Sequence, residues 1–295
     1  MAMKRREFLG ATLAGAAGMM IAPVWTARAA EVNPTAIVPL GKALKACRIS
    51  CGTGMAGGNR ESNQTRQGKE KFEALLNHAY DLGIRHFDLA DLYGTHPYVA
   101  GAMKDKPRED LQYVTKIWTQ PGGIPGEDRP LADVMVDRFL QELQTDYVDV
   151  VQIHCMTDPA WTTLERKNMD LLAEAKAKGK IKAHGVSCHS MDALKLAASE
   201  PWVDVIHARI NPFGHRTDGT IEEIVAALQV AKANGKGVIG MKLIGEGSFD
   251  AEKRKETLAA VMTSGVVDCM TIGFEAPEQI DDFVSNVRQQ LEKMA

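Results

Sequence analysis

The sequence predicts a single α/β domain folded as a (β/α)8 TIM barrel. Three observations carry that expectation. Short Val- and Ile-rich runs alternate without interruption with amphipathic helix patterns, as in parallel strands joined by crossover helices. The runs are short and mostly Val- and Ile-rich, as expected of strands covered on both faces. Eight such units fit in about 250 residues, a length that favours a closed barrel over an open sheet.

Taken in order, the strand candidates are 47–51, 84–89, 112–117, 148–153, 182–187, 203–208, 237–242 and 268–273. Between and after them run helix patterns near 69–82, 97–104, 131–144, 163–178, 191–199, 220–234, 251–264 and 277–293. Gly83, Gly179 and Gly235 each follow directly on one of these patterns, where a residue without a Cβ ends a helix at no steric cost.

Residues 1–29 read as a twin-arginine signal peptide ahead of a mature domain, 30–295. Lys4-Arg-Arg-Glu-Phe-Leu-Gly10 is its charged region, a mildly apolar stretch runs from Phe8 to Val24, and Ala27-Arg-Ala29 is a small-x-small cleavage site. The apolar stretch is shorter than the roughly 20 residues that cross a bilayer, so cleavage is expected to leave no membrane span. The twin-arginine (Tat) export machinery is the expected partner and the periplasm the expected location.

A formal net charge of −3, with no Lys/Arg-rich block after residue 29, argues against nucleic acid as a partner. The five cysteines (Cys47, Cys51, Cys155, Cys188, Cys269) are scattered and odd in number, unlike a disulfide framework or a zinc site, and no metal is expected. Cys47 and Cys51, on one strand, would stand roughly 13 Å apart, beyond disulfide reach. Cys47 and Cys269 come within reach if the first and last strands are neighbours.

Gly52-Thr-Gly-Met-Ala-Gly57 fits the G-x-G-x-x-G string of open dinucleotide-binding sheets. There the third glycine opens a helix. Here a polar loop follows and the helix pattern starts near Lys69. The string, with Gly52 and Thr53 at its head, therefore reads as a barrel-mouth loop that lets a ligand approach backbone amides.

The chemistry concentrates at three successive strand ends. Asp88 closes the second strand, Lys116 the third and His154 the fourth, with Tyr93 in the loop five residues past Asp88. Singly these read as a cap, a solvated amine, a satisfied imidazole and a loop aromatic. Jointly they form a proton-donating device. Asp88 supplies the counter-charge that Lys116 needs. The ammonium would bring the phenol of Tyr93 down from about 10 to a usable acid. A neutral His154 could orient a substrate oxygen. Asp91 reads as a cap or turn residue.

The elements F-D-x-A-x-x-Y-G (87–94), T-K (115–116) and I-H (153–154), in that order, resemble the aldo-keto reductase superfamily over nearly all of the mature chain. The resemblance implies hydride transfer from a nicotinamide to a carbonyl carbon, with Tyr93 protonating the oxygen. It also places Ser187 at the nicotinamide amide, Cys188 where an asparagine is usual, His207 where an amide side chain is usual, and Met241, followed by Lys242, at the stacking aromatic's position. Gly245 and Gly247 fall in the loop that crosses the pyrophosphate. NADP(H) is the family default. NAD(H) stays open because the 2′-phosphate clamp is missing and Glu275 could accept from a free ribose hydroxyl.

The expected function is interconversion of a carbonyl and an alcohol on a small polar, sugar-like substrate. That substrate class rests on the expected location and on polar mouth residues His189, Arg209, Asn211, His215 and Arg216, each equally readable as a solvated loop residue. Two alternatives stay open: a Schiff-base lyase or aldolase using Lys116 or Lys242, and a binding protein with a degenerate cofactor site. The oligomeric state is not specified.

Overall fold

The computed structural model describes residues 32–42 and 44–295, so the twin-arginine segment lies outside the described residues. A hairpin leads the fold, with β1 (Ile37–Leu40) antiparallel to β2 (Leu44–Cys47). Eight parallel strands then close into a barrel: β3 (Ile49–Gly52), β4 (His86–Asp88), β5 (Gln112–Ile117), β6 (Val148–Met156), β7 (Ile181–Cys188), β8 (Val205–Arg209), β9 (Gly237–Met241) and β10 (Cys269–Gly273). β10 pairs back onto β3 and completes the ring.

Two single-turn helices, α1 (Asn63–Arg66) and α5 (Trp161–Leu164), accompany eight outer ones: α2 (Lys69–Asp81), α3 (His96–Met103), α4 (Ala132–Leu143), α6 (Arg166–Ala177), α7 (Met191–Ser199), α8 (Ile221–Ala233), α9 (Ala251–Ser264) and α10 (Pro277–Met294). None of the described helices is long and apolar enough to cross a membrane.

The hairpin and two breaks depart from the sequence expectation. Candidate strand 47–51 changes partners at Arg48, whose amide bonds to Ala36 O (2.9 Å) while its carbonyl accepts from Met270 N (2.8 Å). Candidate helix 163–178 divides at Glu165, whose carboxylate is held by Thr119 (2.7 Å) and Asn168 (2.8 Å). The polar loop after Gly57 contains α1, closed by a reciprocal capping box between Ser62 and Thr65.

Val38, Leu40 and Ala46 of the hairpin pack on Val114, Val150, Ala183, Val205, Ile239 and Cys269, the lowest inward ring of the barrel. The hairpin thus plugs the N-terminal end and leaves the C-terminal mouth for chemistry. Cys47 and Cys269 are not bridged; both are free. Cys47 precedes the crossover at Arg48 and directs its Sγ to Thr35 O (3.3 Å), whereas Cys269 faces into the barrel.

Burial of histidine sets the expected acid stability. Burial pulls His86 and His184 down to about 4 and His189 to about 3, and holds His154 and His207 well below the ordinary 6.5. Below about pH 6.5 the unfolded chain takes up protons that the folded chain refuses, so stability is full above that pH and lost beneath it. Each group contributes up to about 1.4 kcal/mol per pH unit. Asp88 and Asp268, raised by burial, offset part of the loss because the folded state protonates them first. Urea midpoints are expected to be flat between about pH 7 and 8 and to fall steeply from 6 to 4; a flat profile from 6 to 4 would contradict the buried neutral histidines.

Candidate active site

Strand alternation places the polar groups. Val114 and Val150 lie in the lowest inward ring, so Lys116 and His154, two and four residues further on, point inward at the top. Asp88 ends β4, the neighbour of β5. Tyr93 arrives on a single 3-10 turn, Asp91–Tyr93, ended by Gly94 at φ 62°. Asp91 is buried between Arg60 (2.9 Å) and Arg138 (2.7 Å) and anchors that turn.

The glycine string serves the same purpose. A Cβ added at Gly54 or Gly57 would lie 2.4 or 2.5 Å from the Tyr93 ring, so these positions let the loop close on the phenol. Gln64, buried at the start of α1, braces that loop by donating to Gly52 O (3.1 Å) and accepting from Met55 N (3.2 Å).

Lys116, 1% exposed, forms an ion pair with Asp88 and donates to Leu89 O at 2.9 Å. Its Nζ lies 5.5 Å from the centre of the Tyr93 ring. The Tyr93 hydroxyl is 3.4 Å from His154 Nε2. Trp118 meets the His154 ring edge-on at 5.4 Å. The four residues read from the strand ends therefore converge.

Their electrostatics agree with expectation in part. Burial, then Lys116, drives the His154 imidazole well below its usual range, leaving it neutral. The expected lowering of Tyr93 is not found. Burial, then Asp88, pushes its phenol well above 10. The Lys116 ammonium is engaged by Asp88 and Leu89 O, so its field on the phenol is largely compensated.

A cleft of about 480 Å³ opens beside Tyr93, bordered by Gly52, Met241, Lys242, Gly247, Thr271 and Gly273. The other cofactor candidates sit elsewhere. Thr53 is fully buried and donates to Asp88 O (2.8 Å). Ser187 accepts from the amide of Cys155 (2.8 Å), a residue at φ 59°. Cys188 lies in the hydrophobic core. His207 is fully buried with Nε2 3.4 Å from Asp88 Oδ1. Gly245 backs onto Phe249, and the Glu275 amide bonds to the Gln279 side chain (2.7 Å).

Most of the polar mouth residues build loops. Arg209 pairs with Asp218 and donates to His189 O (2.9 Å), and Asn211 donates to His215 O (2.8 Å) and Lys242 O (3.1 Å). Arg216 lines the cleft. Two contributors were missed in the sequence. Trp118 packs on His154, and Thr271 lines the cleft with its buried hydroxyl unpartnered among the described residues. Thr271 stands two residues after Cys269, so strand alternation alone could have found it.

These residues fit the reactive end of a nicotinamide dinucleotide. Gly52 and Gly273 border the cleft without side chains, a Cβ at Gly273 would lie 2.3 Å from Met55 Cγ, and Thr271 offers an unused polar atom. The far end differs: residues 275–281 contain no cation to hold a 2′-phosphate.

Residues 48–270 match the aldo/keto reductase family. The chain belongs to the aldo/keto reductase family. An aldo-keto reductase family 1 member C21 from Mus musculus is 36% identical over 92 residues, 29% of this chain and 27% of that protein. A glycerol 2-dehydrogenase (NADP(+)) from Saccharomyces cerevisiae is 32% identical over 165 residues, 46% of this chain and 50% of that protein. An NADH-specific methylglyoxal reductase from Escherichia coli is 28% identical over 189 residues, 58% of each chain. This family member thus spans between 27% and 58% of the length of these curated relatives. Among solved structures, an aldo-keto reductase from Bacillus halodurans in holo form superposes with TM-score 0.66 at 20% identity, over 87% of this chain and 95% of that one. An aldo/keto reductase from Klebsiella pneumoniae in complex with NADP and acetate gives 0.62 at 18% identity, over 88% and 93%. These two likenesses concern the fold.

Proposed function

We propose that this aldo/keto reductase is an NAD(P)(H)-dependent oxidoreductase that interconverts a carbonyl and an alcohol on a small polar substrate. The observation that carries the reading is the Tyr93 hydroxyl, set 3.4 Å from a neutral His154 beside the buried Asp88–Lys116 pair. A bound nicotinamide supplies the hydride. Thr271, Gly52 and Gly273 would hold it in the cleft they line.

Tyr93 donates its proton to the substrate oxygen and becomes a phenolate. Lys116, 5.5 Å from that ring, stabilises the developing negative charge, and Asp88 holds the ammonium in place. His154 directs Nε2 at the same oxygen and Trp118 keeps its ring upright, so the carbonyl is oriented before reaction. Burial raises the Tyr93 phenol, so it is protonated at neutral pH, and the cost of giving up that proton falls on Lys116, which offsets the charge as it develops.

Glu275 and the cation-free 275–281 segment support NAD(H) over NADP(H). The twin-arginine pattern in residues 1–29 supports export to the periplasm, where a tightly retained dinucleotide would suit the enzyme. The Schiff-base alternative loses support because Lys116 is paired with Asp88 and Lys242 with Glu246, so neither amine is free to attack a carbonyl.

Steady-state oxidation of NADH and NADPH over a panel of small aldehydes, hydroxyketones and 2-oxoaldehydes tests the reading. Turnover is expected, with NADH preferred. Consumption of neither dinucleotide with any carbonyl would overturn it.

A further inference from the structure

The loop leaving β9 carries an internal salt bridge that the catalytic chemistry does not use. Lys242, Gly245, Glu246 and Gly247 all adopt positive φ (64°, 59°, 56° and 87°), two of them without the licence of glycine. This winding turns Glu246 back on the strand end, where its carboxylate pairs with Lys242 Nζ and lies 3.0 Å from Arg216 Nε. All three side chains line the cleft that Tyr93 also borders. The base of the arrangement is fixed, since Asn211 holds the Lys242 carbonyl at 3.1 Å. The rim is accessible, with the Arg216 and Glu246 side chains 62% and 39% exposed.

We propose that Glu246 is a built-in place-holder for a phosphate: its carboxylate fills a two-cation seat, Lys242 and Arg216, that the pyrophosphate of a bound dinucleotide takes over. The inference rests on the nicotinamide reading above and adds to it how this chain's own charges receive that ligand. Two cations match the two negative charges of a pyrophosphate bridge, and with Glu246 between them the seat keeps one net positive charge. Burial alone would raise the Glu246 carboxyl, but Lys242 and then Arg216 hold it below the usual range, so the place-holder is anionic near neutrality. Ion pairs this exposed are weak, so a doubly charged ligand can displace the carboxylate. The displaced Glu246 then repels the incoming anion from close range, so its charge lowers affinity. Dinucleotide is therefore held less tightly than the cations alone would hold it, and the loop opens without breaking a strong contact.

The test is fluorescence titration of NADH and NADPH, with inorganic pyrophosphate as a competing probe, into wild type, Glu246→Gln, Lys242→Gln and the double variant. Thermal unfolding checks that each is folded. Removing the repulsion of the nearer phosphate charge alone, about 4 Å away in water-like surroundings, is expected to tighten dinucleotide at least about fivefold in Glu246→Gln. Pyrophosphate should tighten by a similar factor, and both gains should shrink in 1 M salt. Lys242→Gln should weaken both ligands, and most of the gain from Glu246→Gln should vanish in the double variant. If dinucleotide binds but Glu246→Gln leaves it unchanged or weaker, the seat is refuted and the cofactor reading stands. If no variant binds dinucleotide while pyrophosphate still tightens in Glu246→Gln, the seat stands and the cofactor reading fails. If neither ligand binds any variant, both fail.

Discussion

Tyr93→Phe is expected to lower kcat by about 10²- to 10⁴-fold, the usual contribution of a positioned general acid, while dinucleotide affinity changes by less than about twofold. The substitution removes one oxygen and leaves the ring. That ring is held between Gly54 and Gly57, on a turn anchored by Asp91, so Phe should occupy the same place. The lost interaction is made to the reacting oxygen, so the loss should fall on kcat and kcat/KM alike. Turnover near the wild-type level would remove Tyr93 from the proton-donating role. Because the phenol is raised by burial and by Asp88, wild-type reduction should also show no loss from Tyr93 ionisation below pH 10.

Lys116→Met is expected to cost both activity and stability. Asp88 is 5% exposed, and its ammonium partner offsets the cost of burying its charge. Removing one member of a buried pair typically destabilises by about 3–5 kcal/mol because the other charge is left uncompensated. The loss should be smaller at low pH. Without Lys116 the Asp88 carboxyl, already raised by burial, rises further in the folded state, and protonation then favours folding as pH falls. A second substitution, Asp88→Asn, should recover part of the stability and none of the turnover, because the phenolate formed at Tyr93 would still lack its cation. Urea unfolding of the single and double variants, with kcat for each, checks this; a Lys116→Met protein of wild-type stability would mean that the pair is not the buried structural unit described.

The candidate site was legible because barrel geometry turns strand position into spatial position. Asp88, Lys116 and His154 each end an apolar run, and neighbouring strand ends must meet at the mouth. Tyr93 was legible through its fixed spacing from Asp88. Its electrostatics were not, because the burial that raises its phenol comes from the Gly54–Gly57 loop closing over it, and spacing does not report burial. The hairpin β1–β2 escaped because its strands have four residues each, too few for the buried positions Val38, Leu40, Ala46 and Cys47 to show a period. The partner change at Arg48 is a backbone event with no side-chain signature. Ser187 and His207 were found at their strand positions, yet Ser187 binds the Cys155 amide and His207 lies against Asp88, contacts set by this chain's own neighbours. Glu246 looked misplaced beside a phosphate loop; its pairing with Lys242 and Arg216 depends on left-handed winding that composition does not encode.

In the function proposed above, this barrel mouth passes a hydride from a nicotinamide to a carbonyl carbon while Tyr93 supplies the proton. The most direct measurement uses dinucleotide carrying deuterium at nicotinamide C4, mixed with purified protein and a small 2-oxoaldehyde in ordinary water, with mass spectrometry of the alcohol formed. One deuterium, bound to the carbinol carbon, is expected in the wild-type product, with almost no product from Tyr93→Phe. An alcohol formed without deuterium from either labelled face, or formed equally well by Tyr93→Phe, would contradict it.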